Sequence, residues 1–184
     1  SRGLGDVYKR QLSAMGIEYL VFMEVANEGK AYYPSQLMPW WYDKDKQSPV
    51  EAILDEAARY DMKVFMSTGW AKDQDDNLQD PAIKQRQLQI MEELAVFYKN
   101  HKAFYGWYLP VEDCLCPIFA EHAVQSVNAL TKKAKALTPD KKTLISPYGI
   151  GLSDFDNPEY EKQLAKLKVD IIAYQDEVGC VRDK

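Results

Sequence analysis

Apolar runs and helical stripes alternate along this chain. Ile17 to Val25 is almost continuously apolar (Ile17, Tyr19, Leu20, Val21, Phe22, Met23), which predicts a strand buried on both faces. Ahead of it, Leu12-Ser13-Ala14-Met15-Gly16 reads as the last turn of a helix closed by a C-capping glycine. A long loop carrying Tyr32, Tyr33, Trp40 and Trp41 follows the strand. Ser48-Pro49-Val50-Glu51 is then a capping box with proline at the first helical position. The helix it opens has Val50, Ile53, Leu54, Ala57 and Ala58 on one face and ends near Asp61.

The same unit recurs. Lys63 to Trp70 predicts a strand whose exit carries Ser67, Thr68, Gly69 and Trp70. Asp80-Pro81 starts a long helix with Ile83, Ile90, Met91, Leu94, Phe97 and Tyr98 at helical spacing, broken by Gln87. An aromatic strand from Phe104 runs through Trp107, Tyr108 and Pro110 to Glu112 and Asp113. Cys116-Pro117 is read as the start of the next helix, closed at Thr138-Pro139. Lys142 to Tyr148 is a strand, Asn157-Pro158 starts a short helix, and Val169 to Tyr174 is a strand leading to Gln175, Asp176 and Glu177.

Strands and helices in strict alternation imply parallel strands with right-handed crossovers. An open doubly wound sheet and a (β/α)8 TIM barrel both satisfy that pattern. Nucleotide-binding open sheets usually carry a glycine-rich turn after an early strand, and these strand exits carry Trp, Glu, Tyr and Gln instead. The expected class is therefore α/β, a TIM barrel. A full barrel needs about 250 residues, so an incomplete one is expected here, with about strands 2 to 6 present. Asp6-Val7-Tyr8-Lys9-Arg10-Gln11 resembles the in-frame translation of a transposase end used to prepare DNA libraries. Residues 1–11 are thus expected to be a sequencing scar, a natural charged arm being the alternative, and residues 12–184 a partial barrel domain.

Composition narrows the chemistry. A net charge of -5 over 184 residues gives no clustered basic face for nucleic acid or an anionic membrane, so neither is expected as a partner. No apolar run is long enough to span a bilayer. With 3 cysteines no disulfide framework is implied, and Cys114, Cys116 and Cys180 are expected to be free thiols. His101 and His122 lack metal-ligand spacing, residues 73–76 lack the glycine and glutamate of a calcium loop, and no nucleophile elbow or phosphate-binding loop is present. No metal or cofactor is expected.

Glu112 is the sharpest candidate. A carboxyl group at the carboxyl end of a barrel strand, beside Trp107 and Tyr108, is placed for raised-pKa general acid work on a glycosidic oxygen. Equally, Glu112 and Asp113 suit the dipole of the helix that follows, and Asp113 fits that structural role better. Asp176 is the candidate second carboxylate, with Glu177 and Gln175 beside it as substrate contacts or as solvated loop residues. Glu24 and Asn27 suit sugar hydroxyls. Trp40, Trp41, Trp70 and Tyr148 suit stacking on sugar rings, although packing explains each of them singly.

Four stretches carry a family resemblance: Met15-Gly16-Ile17-Glu18-Tyr19-Leu20, Tyr33-Pro34-Ser35, Phe104 to Glu112, and Ala173-Tyr174-Gln175-Asp176-Glu177-Val178-Gly179. Together they resemble a domain-of-unknown-function family (number 4434) of bacterial TIM-barrel proteins grouped with glycoside hydrolases. The resemblance implies a (β/α)8 barrel, a carbohydrate substrate or ligand, and export to the periplasm or beyond. It also implies that the Glu112 strand is the fourth, the strand that carries the acid/base glutamate in many barrel glycosidases. Val111 stands where one large glycosidase group has asparagine, so membership of that group is not implied. Two readings follow: a glycoside hydrolase with Glu112 as general acid/base, or a non-catalytic barrel that binds carbohydrate.

Overall fold

The structure is a computed structural model and describes residues 11–69, 78–111 and 113–176. Strands β1 (Tyr19–Phe22), β2 (Ala26–Asn27) and β3 (Lys30–Ala31) are followed by helix α1 (Pro49–Arg59), β4 (Lys63–Ser67) and α2 (Pro81–Tyr98). Then come β5 (Phe104–Tyr108), α3 (Glu121–Leu137), β6 (Lys142–Ile145), α4 (Pro158–Lys166) and β7 (Ile171–Ile172). β1, β4, β5, β6 and β7 lie side by side in that order, and every pairing is parallel.

The two faces of this sheet decide between the two architectures. Val64, Met66, Phe104, Trp107 and Ile145 pack with Leu54 of α1, Met91 and Leu94 of α2, and Leu130 of α3 in one cluster. Phe65, Tyr108 and Leu144, with Tyr105 and Ile171 against them, form a second cluster that contains no helix residue. A doubly wound sheet would carry helices on both faces. Here one face is covered by helices and the other is lined by strand side chains, as in a barrel wall with its interior layer. The five strands are a continuous segment of a (β/α)8 barrel.

Local chemistry fixes the helix starts. The side chains of Ser48, Asp80 and Asn157 accept from the N–H groups of Glu51 (3.1 Å), Ala82 (2.8 Å) and Glu159 (3.0 Å), each with proline next in the chain. Such caps each contribute about 1 kcal/mol by satisfying a helix-end donor. The N-terminal turn ends as the glycine predicts: Ile17 N–H bonds Leu12 O (3.1 Å), Gly16 N–H bonds Ser13 O (3.0 Å), and Gly16 has φ 78°. That is a Schellman ending. Gln87, the break in the α2 stripe, is 1% exposed and donates to Gly69 O at 2.8 Å, tying α2 to the exit of β4.

Four expectations need correction. β1 is not buried on both faces, because Tyr19 and Val21 are each 45% exposed. These two residues lie on the interior face of an edge strand, which no helix covers, while Leu20 and Phe22 pack against the helix-side core. Pro117 does not start a helix. The Cys116–Pro117 peptide is cis, and α3 begins at Glu121 without a side-chain cap. The intervening chain is held elsewhere, with Leu115 N–H on Tyr148 O (2.9 Å) and the Asp113 carboxylate on Ala120 N–H (3.0 Å). The loop after β1 contains the β2–β3 hairpin, whose central residues Glu28 (φ 47°) and Gly29 (φ 69°) have the paired positive φ of a tight hairpin turn. Cys114 and Cys116 are joined as a disulfide, their Cα atoms 5.2 Å apart, and are not free thiols.

The ends of the strands opposite the candidate site are tied by polar contacts. Asp170 Oδ2 accepts from Thr143 N–H (2.8 Å) and Thr143 Oγ1 (3.0 Å) and pairs with Lys135 Nζ (2.7 Å), linking α3, β6 and the approach to β7. Trp107 is fully buried, and its indole N–H donates to Thr138 Oγ1 at 2.8 Å. It therefore faces the helix layer. Among the described residues no helix is long and apolar enough to cross a membrane.

Candidate functional site

In a barrel the carboxyl ends of the strands collect on one rim. Two groups of the expected residues meet there. The first follows β1. Asn27 O accepts from the Trp41 indole N–H at 3.0 Å, and Trp41 stacks on Tyr32 with ring centroids 6.0 Å apart and planes 11° from parallel. Lys30 Nζ sits 4.4 Å from the Trp41 ring centroid. Burial raises the Tyr32 phenol pKa above its usual value, and the carboxylates of Glu24 and Glu28 push the same way. Glu24, Asn27 and Trp41 thus form one cluster, in which Trp41 remains 40% exposed.

The hairpin explains why those residues meet. Its positive-φ turn folds Asn27 back over Lys30, and Ala31 bridges Trp40 in the returning loop. The loop is then clamped to α2: Glu93 accepts from Tyr33 OH (2.8 Å), Ser35 Oγ (2.6 Å) and Gln36 N–H (2.6 Å). The Tyr33-Pro34-Ser35 stretch is therefore an anchor and not a ligand contact.

The second group follows β6 and β7. Gln175 N–H donates to Pro147 O (3.0 Å), and its side-chain amide donates to Ser146 O (2.8 Å). Ser146 Oγ returns a bond to Ala173 O at 2.8 Å. Tyr148 is 40% exposed and bridges Cys114 in the β5–α3 loop. Asp176 is exposed next to Gln175. Part of Gln175 is thus committed to holding two strand exits together, leaving its amide oxygen as the group available to a ligand.

The two groups lie at opposite edges of the sheet, with β4 and β5 between β1 and β6. Trp40 joins neither. Its indole donates to Ser35 O (2.9 Å) and its ring stacks on Tyr42 at 5.3 Å, in a separate depression lined by Ser35, Met38 and Pro39. Asp113 is spent on Ala120 N–H at the start of α3, in keeping with its expected structural role. Glu112, Trp70 and Glu177 lie outside the described residues. Sequence reasoning missed Tyr32 and Lys30 as partners of Trp41. The Asn-Glu-Gly-Lys turn was the available signal, since it folds the two strands of the hairpin together.

Comparison with known proteins places this rim in context. Residues 9–184 match the model of the domain of unknown function DUF4434. Among curated proteins nothing matches. Among solved structures, a candidate alpha-L-fucosidase from Bacteroides thetaiotaomicron superposes with a TM-score of 0.71 at 20% identity, covering 93% of this chain and 58% of that one. A cold-adapted beta-galactosidase from Rahnella superposes at 0.57 with 11% identity, over 94% of this chain and 36% of that one. A glycoside hydrolase family 5 mannosidase from Rhizomucor miehei gives 0.53 at 14% identity, over 91% and 50%. The chain thus spans 58% or less of the length of each of these proteins. At such identities the likeness speaks for the fold, a glycoside-hydrolase-like TIM barrel. With all but its first residues matched, this chain is a member of the DUF4434 family.

Proposed function

We propose that the full-length protein hydrolyses an O-glycosidic bond, with Glu112 as general acid/base and Asp176 as the assisting carboxylate. One observation carries the reading: Glu112 follows directly on Val111 past the end of β5, the rim on which barrel enzymes do their chemistry. The similarity to glycoside hydrolases supports it. In the reaction, the protonated acid gives its proton to the glycosidic oxygen as the bond to the anomeric carbon breaks. The second carboxylate stabilises the resulting cationic carbon or bonds to it. Water then supplies hydroxide to that carbon and its remaining proton restores the acid. Glu24, Asn27 and Trp41 would hold one part of the glycan, and Tyr148 with the Gln175 amide oxygen another. Trp70 and Glu177 complete the proposed set of substrate contacts, whereas Trp40, packed on Tyr42, is left out of it. Chain residues 1–11 are read as a sequencing scar and residues 12–184 as part of the barrel domain.

The test is Glu112→Gln in the full-length protein against a panel of aryl glycosides. Loss of turnover with an unchanged melting temperature supports the acid/base role, and unchanged turnover removes Glu112 from the mechanism. A second reading, a carbohydrate-binding barrel without catalysis, is favoured by the Tyr32–Trp41 platform, which needs no carboxylate to stack a sugar. It holds if neither protein turns over any glycoside while both bind oligosaccharide.

A further inference from the structure

The loops after β5 and β6 meet at a disulfide. Cys114–Cys116 lies in the first of them, just past Glu112 in the chain, and the second loop lies against it at Gly149. Gly149 has φ 82°, and a Cβ added there would stand 2.8 Å from both sulfurs. Only glycine both adopts that backbone and leaves room for the bond. Its neighbour is Tyr148, one of the proposed sugar contacts.

This bridge is poorly placed as a staple. Its sequence separation of 2 closes a very small loop, so it takes little freedom from the unfolded chain. Hydrogen bonds knit the two loops instead. Leu115 N–H donates to Tyr148 O (2.9 Å), Ser153 Oγ to Leu115 O (2.8 Å) and Asp154 N–H to Pro117 O (2.8 Å). Tyr148 N–H reaches Asp113 O at 3.3 Å, the longest of these bonds. Cys116 is exposed and Cys114 half-buried, so Cys116 is the side open to an attacking thiolate.

We propose that Cys114–Cys116 is a thiol–disulfide exchange site, opened by a dithiol, that tunes how the rim holds its sugar. The tuning rests on the carbohydrate reading of the rim, whereas the exchange does not. One thiolate of the dithiol attacks Cys116 Sγ, the S–S bond breaks, and Cys114 leaves as a thiolate that takes up a proton. The second thiolate of the dithiol then attacks the mixed disulfide, closing the reagent into its own disulfide and releasing Cys116 as a thiol. The protein gains two electrons and two protons, and the dithiol loses them. Sulfurs that no longer share a bond must move out to van der Waals contact. With the Gly149 backbone against both, that movement displaces the chain around Gly149, and the long Tyr148 bond to Asp113 O gives way first.

The test equilibrates the full-length protein with mixtures of reduced and oxidised dithiothreitol. Alkylation and mass analysis of the peptide bearing Cys114 and Cys116 then score the pair as closed or open. The pair is expected to open and reclose reversibly with the melting temperature held. Hydrogen exchange of the peptides carrying Leu115 and Tyr148 should quicken on opening, while that of the α2 peptide carrying Met91 and Leu94 stays the same. Oligosaccharide affinity should fall about threefold to tenfold as Tyr148 loses its place. A Cys114→Ser, Cys116→Ser double variant should show the lower affinity in every mixture. A pair that opens only when the protein unfolds, or exchange rates equal in the two states, overturns the proposal. Absent turnover with the exchange response and affinity change intact would sink the hydrolase reading alone, and turnover and affinity indifferent to opening would sink the tuning alone.

Discussion

The hydroxyl of Tyr33 lies 2.8 Å from Glu93 Oε2, joining the loop after β3 to α2, the helix that follows β4. Tyr33 is fully buried and Ser35, which shares that carboxylate, is 5% exposed. Burial, and behind it the neighbouring Glu93 carboxylate, pushes the Tyr33 phenol above its usual range. One carboxylate therefore satisfies three donors from a loop with little regular structure of its own. Glu93→Ala strands those donors and is expected to cost about 2–4 kcal/mol, because unpaired buried polar groups lose their full desolvation energy. Glu93→Gln, which keeps one acceptor oxygen, should cost about half as much. Urea denaturation midpoints of the two variants check the order.

Gly69 is the second constraint on that loop. It has φ 64°, and a Cβ built there would lie 2.5 Å from Ala26 N and 2.6 Å from Ala26 O. Gly29, in the hairpin turn, has a similar φ of 69° but nothing within 4 Å. Gly29→Ala should thus cost only the left-handed backbone penalty of about 1–2 kcal/mol. Gly69→Ala adds a backbone clash and is expected to cost about 2–4 kcal/mol. Thermal melts of both variants separate the two contributions, and equal losses would mean that the hairpin gives way without cost.

Much of this architecture was legible in the chain because its signals are local. Ser48, Asp80 and Asn157 cap their helices as their spacing to the following proline indicates, and Gly16 closes the first turn. What escaped depends on distant partners. A continuous apolar run marks β1 as a strand, but nothing within the run says whether a second wall covers Tyr19 and Val21. Gln87 reads as a flaw in a helical stripe until Gly69 O is seen 2.8 Å away. Pro117 looks like a helix start because the competing bonds, from Leu115 to Tyr148 and from Ala120 to Asp113, cross between loops. The candidate site divides in the same way. Strand exits were readable from the pattern, so the rim residues could be named. Their grouping around Trp41 and around Gln175 depends on loop folding that residue spacing does not encode.

Asp170 makes a stability prediction that depends on pH. Its partial burial opposes ionisation, but hydrogen bonds from Lys135 and from the backbone and hydroxyl of Thr143 outweigh it and hold the carboxyl below its usual value. A carboxyl whose pKa is lowered on folding stabilises the fold above its unfolded-state pKa of about 3.9. That contribution is lost as pH falls from about 4 through the lower folded value. Asp170→Asn should therefore be less stable than the parent at pH 7, and the difference should shrink as the pH falls through the lowered folded-state value. Urea titrations at a series of pH values test this, and a constant difference across the range would rule out the ionised pair as its source.

Trp41 and Trp40 provide the sharpest separation at the rim. Trp41 stacks on Tyr32, is 40% exposed, and sits beside Glu24 and Asn27. Trp40 instead packs on Tyr42, with Lys44 Nζ 5.6 Å from its ring, away from that group. If the β1 exit holds a sugar, removing the Trp41 ring forfeits stacking of about 0.5–1.5 kcal/mol, roughly threefold to tenfold in affinity. Trp40→Ala should leave affinity within about twofold, since its ring is occupied by protein partners. In a hydrolase this loss would fall on KM with kcat nearly unchanged, because ring stacking far from the reacting carbon is the same in ground and transition states. Equal effects of the two substitutions on oligosaccharide binding would remove the Tyr32–Trp41 platform from the site, and a fall in kcat alone would place it against the reacting sugar.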